Sequence, residues 1–434
     1  MQVNLKVLAG PYRDRVFCFT QTDTFLIGRS NDAHLCLTDD RFFSRHHCLL
    51  EINPPHCFLR DLGSTNGTFV NGEKVTEAYL KSGAQIQGGE TVLLVEVDIG
   101  GGETSKTTSP GPARPTIVTV ACLNCGRREE AQASFADEQM TFLCEDCRAE
   151  LKESPQPIPG YDTVKLLGRG GMGTVMLGRS QATGAAVAIK TLLPEFAVSE
   201  KHMRRFMREI DVAASLKHPS IVQFIERGLH NGVVYLVTEY IDGADAARRA
   251  DSRGGRLPEK ETLEIILQTL DGLAYAHAQG YIHRDIKDQN ILVRGELPNL
   301  SAKLTDFGLA KSFAQSGMSG VTMAGEMAGT LAYMSPEQLK NFRDVKPQSD
   351  IYALGMTAYS LLSGQLALDI SRSHNMAQTI KAIFECPPIP LQQRAPHVPA
   401  AVCEVIDRAL VKDPTQRWKS AQAMRTALTH ASKA

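Results

Sequence analysis

The chain lacks a long apolar run: nothing in its 434 residues approaches the roughly 18 consecutive apolar residues of a membrane-crossing helix. The start, Met1-Gln2-Val3-Asn4, has no basic segment leading into an apolar one, so a secretory leader is not expected. An excess of one charge is missing too, since 47 Lys and Arg stand against 48 Asp and Glu, a formal net charge of −1. So even a balance supplies no bulk field to draw nucleic acid or a membrane surface. These absences predict a cytoplasmic, non-membrane protein. What is present is ordinary for a folded chain, 43% hydrophobic and 22% charged. A single core does not serve this length, and about two to four domains are expected.

The ten cysteines divide into two groups. Cys18, Cys36, Cys48, Cys57, Cys386 and Cys403 are scattered through apolar or strand-like surroundings and read as small buried hydrophobes in a reducing compartment. Cys122 and Cys125 form one C-x-x-C hook and Cys144 and Cys147 a second, with 18 residues between them. That separation suits a four-cysteine zinc ribbon over 118–150, because each hook brings two thiolates to one tetrahedral metal. The intervening stretch is too small for a core of its own, so metal would replace one. Disulfides conflict with a reducing compartment, and no βαβ pattern surrounds either hook to suggest redox chemistry. Four protein ligands leave no open position for catalysis, and Arg127-Arg128 followed by Glu129-Glu130 makes no basic face. A spacer or interaction module is the expectation.

Residues 1–98 show period-two alternation at Val3-Leu5-Val7, Phe25-Ile27 and Val92-Leu94, with turn residues between short runs. Such a pattern predicts an all-β sandwich. Its loops carry Gly28-Arg29, then Ser44-Arg45-His46-His47, then Asp61-Leu62-Gly63-Ser64-Thr65-Asn66-Gly67-Thr68-Phe69-Val70-Asn71-Gly72. In this order and spacing they resemble a forkhead-associated (FHA) domain. The resemblance implies a sandwich whose loop tips bind phosphothreonine, with Arg29 and Ser44 on the phosphate and Thr65 and Asn66 on the peptide backbone. Gly28 and His47 would shape the loops. The chemistry agrees: a phosphothreonine carries about −1.5 to −2 charges and three acceptor oxygens, which call for a guanidinium and a hydroxyl. Asn66 offers the donor and the acceptor that a peptide backbone needs.

Residues 99–117 are rich in Gly, Ser, Thr and Pro and read as a flexible linker, with a second short linker over 151–157. From 158 onward the chain changes character. Tyr161 to Leu167 reads as a strand entering Gly168-Arg169-Gly170-Gly171-Met172-Gly173-Thr174-Val175, which continues in β-like residues and not in a helix. That argues against a dinucleotide fingerprint. It favours a glycine hairpin whose N–H groups lie over phosphates. Val187-Ala188-Ile189-Lys190 follows, then His283-Arg284-Asp285-Ile286-Lys287-Asp288-Gln289-Asn290, Asp306-Phe307-Gly308 and Ser335-Pro336-Glu337. Five motifs in this order resemble a eukaryotic-like Ser/Thr protein kinase of the kind also widespread in bacteria, over 158–434.

The resemblance implies a two-lobed α+β domain that uses ATP with Mg²⁺ or Mn²⁺. Gly168, Gly170 and Gly173 would cover the phosphates, with Val175 and Ala188 lining the nucleotide. Lys190 would bridge the α- and β-phosphates and pair with Glu209 on a helix marked by Met203, Phe206, Met207 and Ile210. Glu239 and Tyr240 would form the hinge to adenine, and Thr238 would guard the back of that pocket. Asp285 would take the substrate hydroxyl's proton, Lys287 would neutralise the γ-phosphoryl group, and Asn290 and Asp306 would ligate the metal. Leu263, Ile266, Leu267, Leu270 and Leu273 form a core stripe ending near Gly280. His283 is expected to be structural, and Arg417 to pair with Glu337. Asp288 stands where the family usually has Pro and is expected to be solvated.

Thr322, Ser319 and Ser316 are the candidate phosphorylation sites of the 312–330 segment, with Arg284 as the cation that would order it. The reading is therefore a multidomain Ser/Thr kinase fused to a phosphothreonine reader. Its partners would be protein substrates and phosphothreonine-bearing proteins or its own phosphorylated segments, with no nucleic acid. A phospho-dependent scaffold with marginal kinase activity is the rival, and the full set of Lys190, Glu209, Asp285, Asn290 and Asp306 speaks against it.

Overall fold

The first eleven strands form two sheets packed face to face. They run β1 (Gln2–Ala9), β2 (Val16–Phe19), β3 (Asp23–Gly28), β4 (Leu35–Cys36), β5 (Cys48–Asn53), β6 (His56–Asp61), β7 (Thr68–Val70), β8 (Glu73–Val75), β9 (Glu77–Leu80), β10 (Gln85–Gly88) and β11 (Thr91–Asp98). One sheet has the order β2-β1-β11-β10-β7-β8 and the other β4-β3-β5-β6-β9. Between them lie Val3, Leu5, Val7, Phe25, Ile27, Leu50, Leu59, Leu93 and Val95. The computed structural model describes residues 1–98, 117–121, 128–132, 158–170, 173–192, 210, 214–231, 233–307, 331–341, 345–369 and 376–433.

The expected sandwich is present, with one correction in register. In β11 the inward residues are Leu93 and Val95, while Val92 and Leu94 are half-buried. Pairing with β1 decides this, because Val7 lies opposite Leu93 and Leu5 opposite Val95. Neighbours across a ladder share a face, so the unambiguous strand β1 sets the ambiguous one. Cys48 and Cys57 are buried in this core as expected, whereas Cys18 is exposed.

A short antiparallel pair, β12 (Ile117–Ala121) with β13 (Arg128–Gln132), follows. Cys122, Cys125, Cys144 and Cys147 lie outside the described residues. Among the described residues no His, Cys, Asp or Glu cluster could hold a metal ion.

A five-stranded antiparallel sheet comes next, in the order β14-β15-β16-β18-β17. The strands are β14 (Tyr161–Gly170), β15 (Gly173–Ser180), β16 (Ala186–Leu192), β17 (Phe224–His230) and β18 (Val233–Glu239). Val187, Ile189 and Val237 pack with Ile158 on one face. Strand alternation therefore turns Ala188 and Lys190 to the other face.

The helical part comprises α1 (Ala246–Asp251), α2 (Glu259–Ala278), α3 (Pro336–Lys340), α4 (Pro347–Ser363), α5 (Met376–Glu385), α6 (Leu391–Arg394), α7 (Ala400–Ala409) and α8 (Ala421–Ala431). In α2 the predicted stripe is buried at Leu263, Ile266, Leu270 and Leu273, with Leu267 half-buried. Helix α4 is buried almost all round, as its run of apolar residues from Ile351 to Leu362 requires. No described helix is long and apolar enough to cross a membrane.

Candidate functional site

The sandwich carries the first group of expected site residues on neighbouring loops. Arg29 follows β3, and its N–H donates to Ser44 O at 3.0 Å, while Ser30 N donates to Arg45 O at 3.0 Å. This tight pairing needs a glycine just before it: a Cβ on Gly28 would meet Arg45 O at 2.1 Å. His47 is fully buried, and its Nδ1 accepts from Ser44 N at 3.1 Å. Burial in turn holds the imidazole's pKa below its ordinary value, against the pull of Asp61.

Arg29, Ser44, Thr65 and Asn66 converge on residues 42–44. Thr65 N donates to Ser44 Oγ at 3.0 Å, Arg29 Nε to Phe43 O at 2.5 Å, and Asn66 Nδ2 to Phe42 O at 2.7 Å. Arg29, Thr65 and Asn66 remain exposed. Two carboxylates that the motif reading passed over build the loops beneath them. Asp61 accepts from Ser64 N, Ser64 Oγ and Thr68 Oγ1, and the buried Asp40 accepts from Phe42 N, Glu90 N and Thr91 Oγ1.

The five-stranded sheet gathers a second group on one face. Val175 lies opposite Lys190, and Ala188 lies opposite Thr238. Gly168 faces Val175 across the β14–β15 hairpin, whose pairing ends at Gly170 and Gly173. Gly173 has φ 147°, and a Cβ there would meet Thr191 O at 1.9 Å, so only glycine fits. Lys190 Nζ is paired with Asp306 Oδ2 at 2.9 Å. Its expected partner Glu209 lies outside the described residues, as do Met203, Phe206 and Met207; Ile210 is helical and buried. Glu239 is more committed than the sequence indicated. Its N–H donates to Gln223 O at 2.9 Å, and its carboxylate accepts from Gln223 N at 2.7 Å and Lys303 Nζ at 2.6 Å. The Glu239 N–H is therefore already committed within the sheet's own contacts.

The third group lies on the loop between α2 and the 3₁₀ turn Asp288–Asn290. This loop is suspended from a buried carboxylate. Asp350 accepts from His283 N and Arg284 N, both at 2.8 Å, and pairs with His277 Nε2 at 2.8 Å. Burial alone would raise its pKa, but the contacts with His277, His283 and Arg284 N outweigh it and hold the carboxyl below the usual range. Arg284 sits at φ 70° and Asp306 at φ 64°, conformations costly for residues with a Cβ and concentrated at functional sites. Asn290 Nδ2 donates to Asp285 O at 2.6 Å and to Asp285 Oδ2 at 2.9 Å, and Lys287 Nζ is 3.5 Å from the same Oδ2. With both amide donors spent, Asn290 keeps its carbonyl oxygen for a hard cation.

The expectation for Asp288 is corrected: it is buried, and Tyr333 Oη donates to its Oδ2 at 2.9 Å. Desolvation is the larger influence and pushes its pKa up, against the bond from Tyr333. Gln338 Nε2 donates to Arg284 O at 2.7 Å, so residues 333–338 hold this loop at two points. Arg417 and Glu337 form the expected pair, at 2.6 and 2.9 Å. Ser316, Ser319, Thr322 and Thr330 lie outside the described residues.

A loop strung between a buried Asp and a Tyr, and a sheet face bearing a Lys beneath a glycine hairpin, define the class. Residues 161–429 match the protein kinase domain, and the chain belongs to that family. Residues 25–89 match the FHA domain. The Ser/Thr-protein kinase Pkn1 of Myxococcus xanthus is 36% identical over 318 residues, covering 71% of this chain and 45% of that protein. PrkC of Bacillus subtilis is 34% identical over 270 residues, 61% of this chain and 39% of PrkC. The crystal structure of a doubly substituted Mycobacterium tuberculosis PknI kinase domain is similar too. Its TM-score is 0.51 at 29% identity, and the match covers 64% of this chain and 98% of that one. The chain spans less than half the length of these two curated relatives.

Proposed function

We propose that the chain is an ATP-dependent Ser/Thr protein kinase whose FHA module, over 1–98, recruits phosphothreonine-bearing proteins. The observation that carries the catalytic half is the Asp285 carboxylate, held by Asn290 Nδ2 at 2.9 Å with Lys287 at 3.5 Å. So oriented, Asp285 accepts the proton of a substrate Ser or Thr hydroxyl as its oxygen attacks the γ-phosphorus. Lys287 balances charge on the transferred group. Lys190 leaves Asp306 for the α- and β-phosphates, with Glu209 as its partner. Gly168, Gly170 and Gly173 cover the phosphates. Val175, Ala188, Glu239 and Tyr240 take the nucleoside. Asn290 and Asp306 would hold Mg²⁺, which when bound screens the phosphate oxygens.

Autophosphorylation at Thr322, Ser319 or Ser316 would order the activation segment. Cys122, Cys125, Cys144 and Cys147 would bind one structural Zn²⁺ over 118–150, between the linkers 99–117 and 151–157, and the protein would work in the cytoplasm. Converging loop contacts of Arg29, Ser44, Thr65 and Asn66 support phosphothreonine reading. In a Mg²⁺-ATP assay Asp285→Asn should lose about 10²–10⁴ in rate; wild-type activity overturns the reading. Arg29→Ala should abolish binding of a phosphothreonine peptide, and retained affinity removes the reader. Purified protein without about one zinc per chain removes the ribbon.

A further inference from the structure

The loops that read phosphothreonine also touch the kinase domain. Asp32, in the loop after β3, pairs with Lys340 at the end of α3, and Thr24 Oγ1 donates to Lys340 O. Arg45 Nη2 meets Glu385 Oε2 at 2.6 Å at the end of α5. His46 fills the space between, with Nε2 3.0 Å from Asp32 and Nδ1 3.3 Å from Glu385. Its ring stacks on Phe384 at 4.8 Å, and Lys381 Nζ reaches Gly63 O at 3.3 Å. Charge is complementary at each point: an acid of the sandwich meets a base of α3, and a base of the sandwich meets an acid of α5. Burial works against the charge on Asp32, but its bonds to Lys340, Ser30 and His46 hold the carboxyl well below the usual range.

Docking residues and reading residues alternate along the same loops, since Arg45 follows Ser44 and Gly63 lies two positions before Thr65. Yet Arg29, Thr65 and Asn66 stay exposed beside the contact. We propose that the FHA module docks in cis on α3 and α5 with its phosphothreonine residues open, and so holds a phosphothreonine-bearing protein against the kinase domain that phosphorylates it further. The second half rests on the phosphothreonine reading above. A fixed reader makes the second encounter intramolecular, at an effective concentration that an uncoupled module does not match in geometry.

The test uses the full chain and two variants, Arg45→Glu and the exchanged pair Arg45→Glu with Glu385→Arg. Amide hydrogen exchange over 376–385 reads docking. A phosphothreonine peptide and its unphosphorylated twin, each carrying a second acceptor Ser, read recruitment through KM. Arg45→Glu should speed exchange in α5 about tenfold or more and raise the KM of the phosphorylated peptide about tenfold, toward that of its twin. The exchanged pair should recover most of both, which loss of folding would not allow. Equal exchange in wild type and Arg45→Glu overturns the docking; faster exchange with unchanged KM overturns the presentation of substrate. Peptide binding measured directly on Arg29→Ala keeps the two layers apart: if affinity persists there, it is the phosphothreonine reading that fails, and exchange alone judges the docking.

Discussion

Arg417 heads the large, fully buried side chains among the described residues, and replacing it with Met should be correspondingly costly. It is fully buried, and all five of its N–H groups are used. Nε donates to Val411 O at 2.6 Å, Nη1 to Glu337 Oε1 at 2.6 Å and Gln348 O at 3.0 Å, and Nη2 to Glu337 Oε2 and Lys412 O, both at 2.9 Å. Its guanidinium also lies 4.8 Å from the Tyr352 ring centroid. Arg417→Met keeps most of the volume but leaves the Glu337 carboxylate with Ser349 Oγ and its own backbone N–H as donors, and takes a donor from each of three carbonyls. Removing one partner of a buried ion pair costs about 3–5 kcal/mol.

Trp418, the chain's sole tryptophan, reports on this region directly. Its Nε1 donates to Val405 O at 3.0 Å, and Arg408 stacks over its ring at 4.1 Å. Urea titrations followed by Trp418 fluorescence should show the loss as a lower midpoint. A loss under about 1 kcal/mol refutes the account, because it would mean that neither the charge nor the carbonyls depend on Arg417. The double replacement Arg417→Met with Glu337→Met should recover much of the stability, since no uncompensated charge is then left inside.

The pH dependence supplies a further check on the same pair. Burial pushes the Glu337 pKa up, but the bonds from Arg417 win and depress it below its ordinary 4.5. The pair's contribution is thus present above about pH 4.5 and is lost as pH falls through the lower folded-state value. In Arg417→Met burial acts nearly alone, so the sign reverses and stability falls as pH rises through the raised value.

Three other changes separate the remaining claims. Tyr333→Phe should cost about 1–3 kcal/mol because Asp288 loses the hydroxyl that favours its charged form against desolvation, and the loss should shrink as pH falls and Asp288 protonates; denaturant titrations at two pH values measure this, and an equal loss at both is the failing result. Glu51→Gln should stabilise the sandwich by about 1–3 kcal/mol at neutral pH. Burial, opposed by Arg60, pushes Glu51 up to about 7, so the wild type loses stability as pH climbs from about 4.5 towards 7, and the variant's melting temperature should not follow that slope. Gly28→Ala should lower phosphothreonine-peptide affinity at least about tenfold by parting residues 28–30 from 44–45, as a binding isotherm would show; unchanged affinity means that this close approach does not order the site.

Much of the site was legible because its residues sit where the backbone demands unusual chemistry. Arg29 follows a glycine that no other residue can replace, and Lys190 lies one ladder pair from a glycine hairpin. Strand β1, with its strict alternation, gave an unambiguous inner face. Strand β11 did not, since Val92-Leu93-Leu94-Val95 offers apolar residues in both registers and only pairing with β1 chooses. Asp288 could not be read, because the hydroxyl that holds it lies 45 residues further on in a segment with no helical or strand period. The side-chain contacts of Glu239 were hidden for a similar reason: Gln223 and Lys303, which meet its carboxylate, belong to other parts of the chain.

The contacts between the sandwich and α5 join residues more than 300 positions apart, and each uses an ordinary surface charge. No motif marks Asp32, Arg45 or Glu385, because complementarity across an interface is a property of two surfaces and not of either sequence. The same fact has a consequence for the reader. Ser44 and Thr65 bond to each other within the sandwich, whereas the Arg45 side chain and the Gly63 carbonyl also meet α5. An excised sandwich should therefore keep its phosphothreonine chemistry and lose only its orientation. Equal peptide affinity in the excised module, the full chain and Arg45→Glu, with the KM advantage of the full chain lost in Arg45→Glu, is the combination that a merely tethered reader would not produce, since a flexible tether survives that substitution.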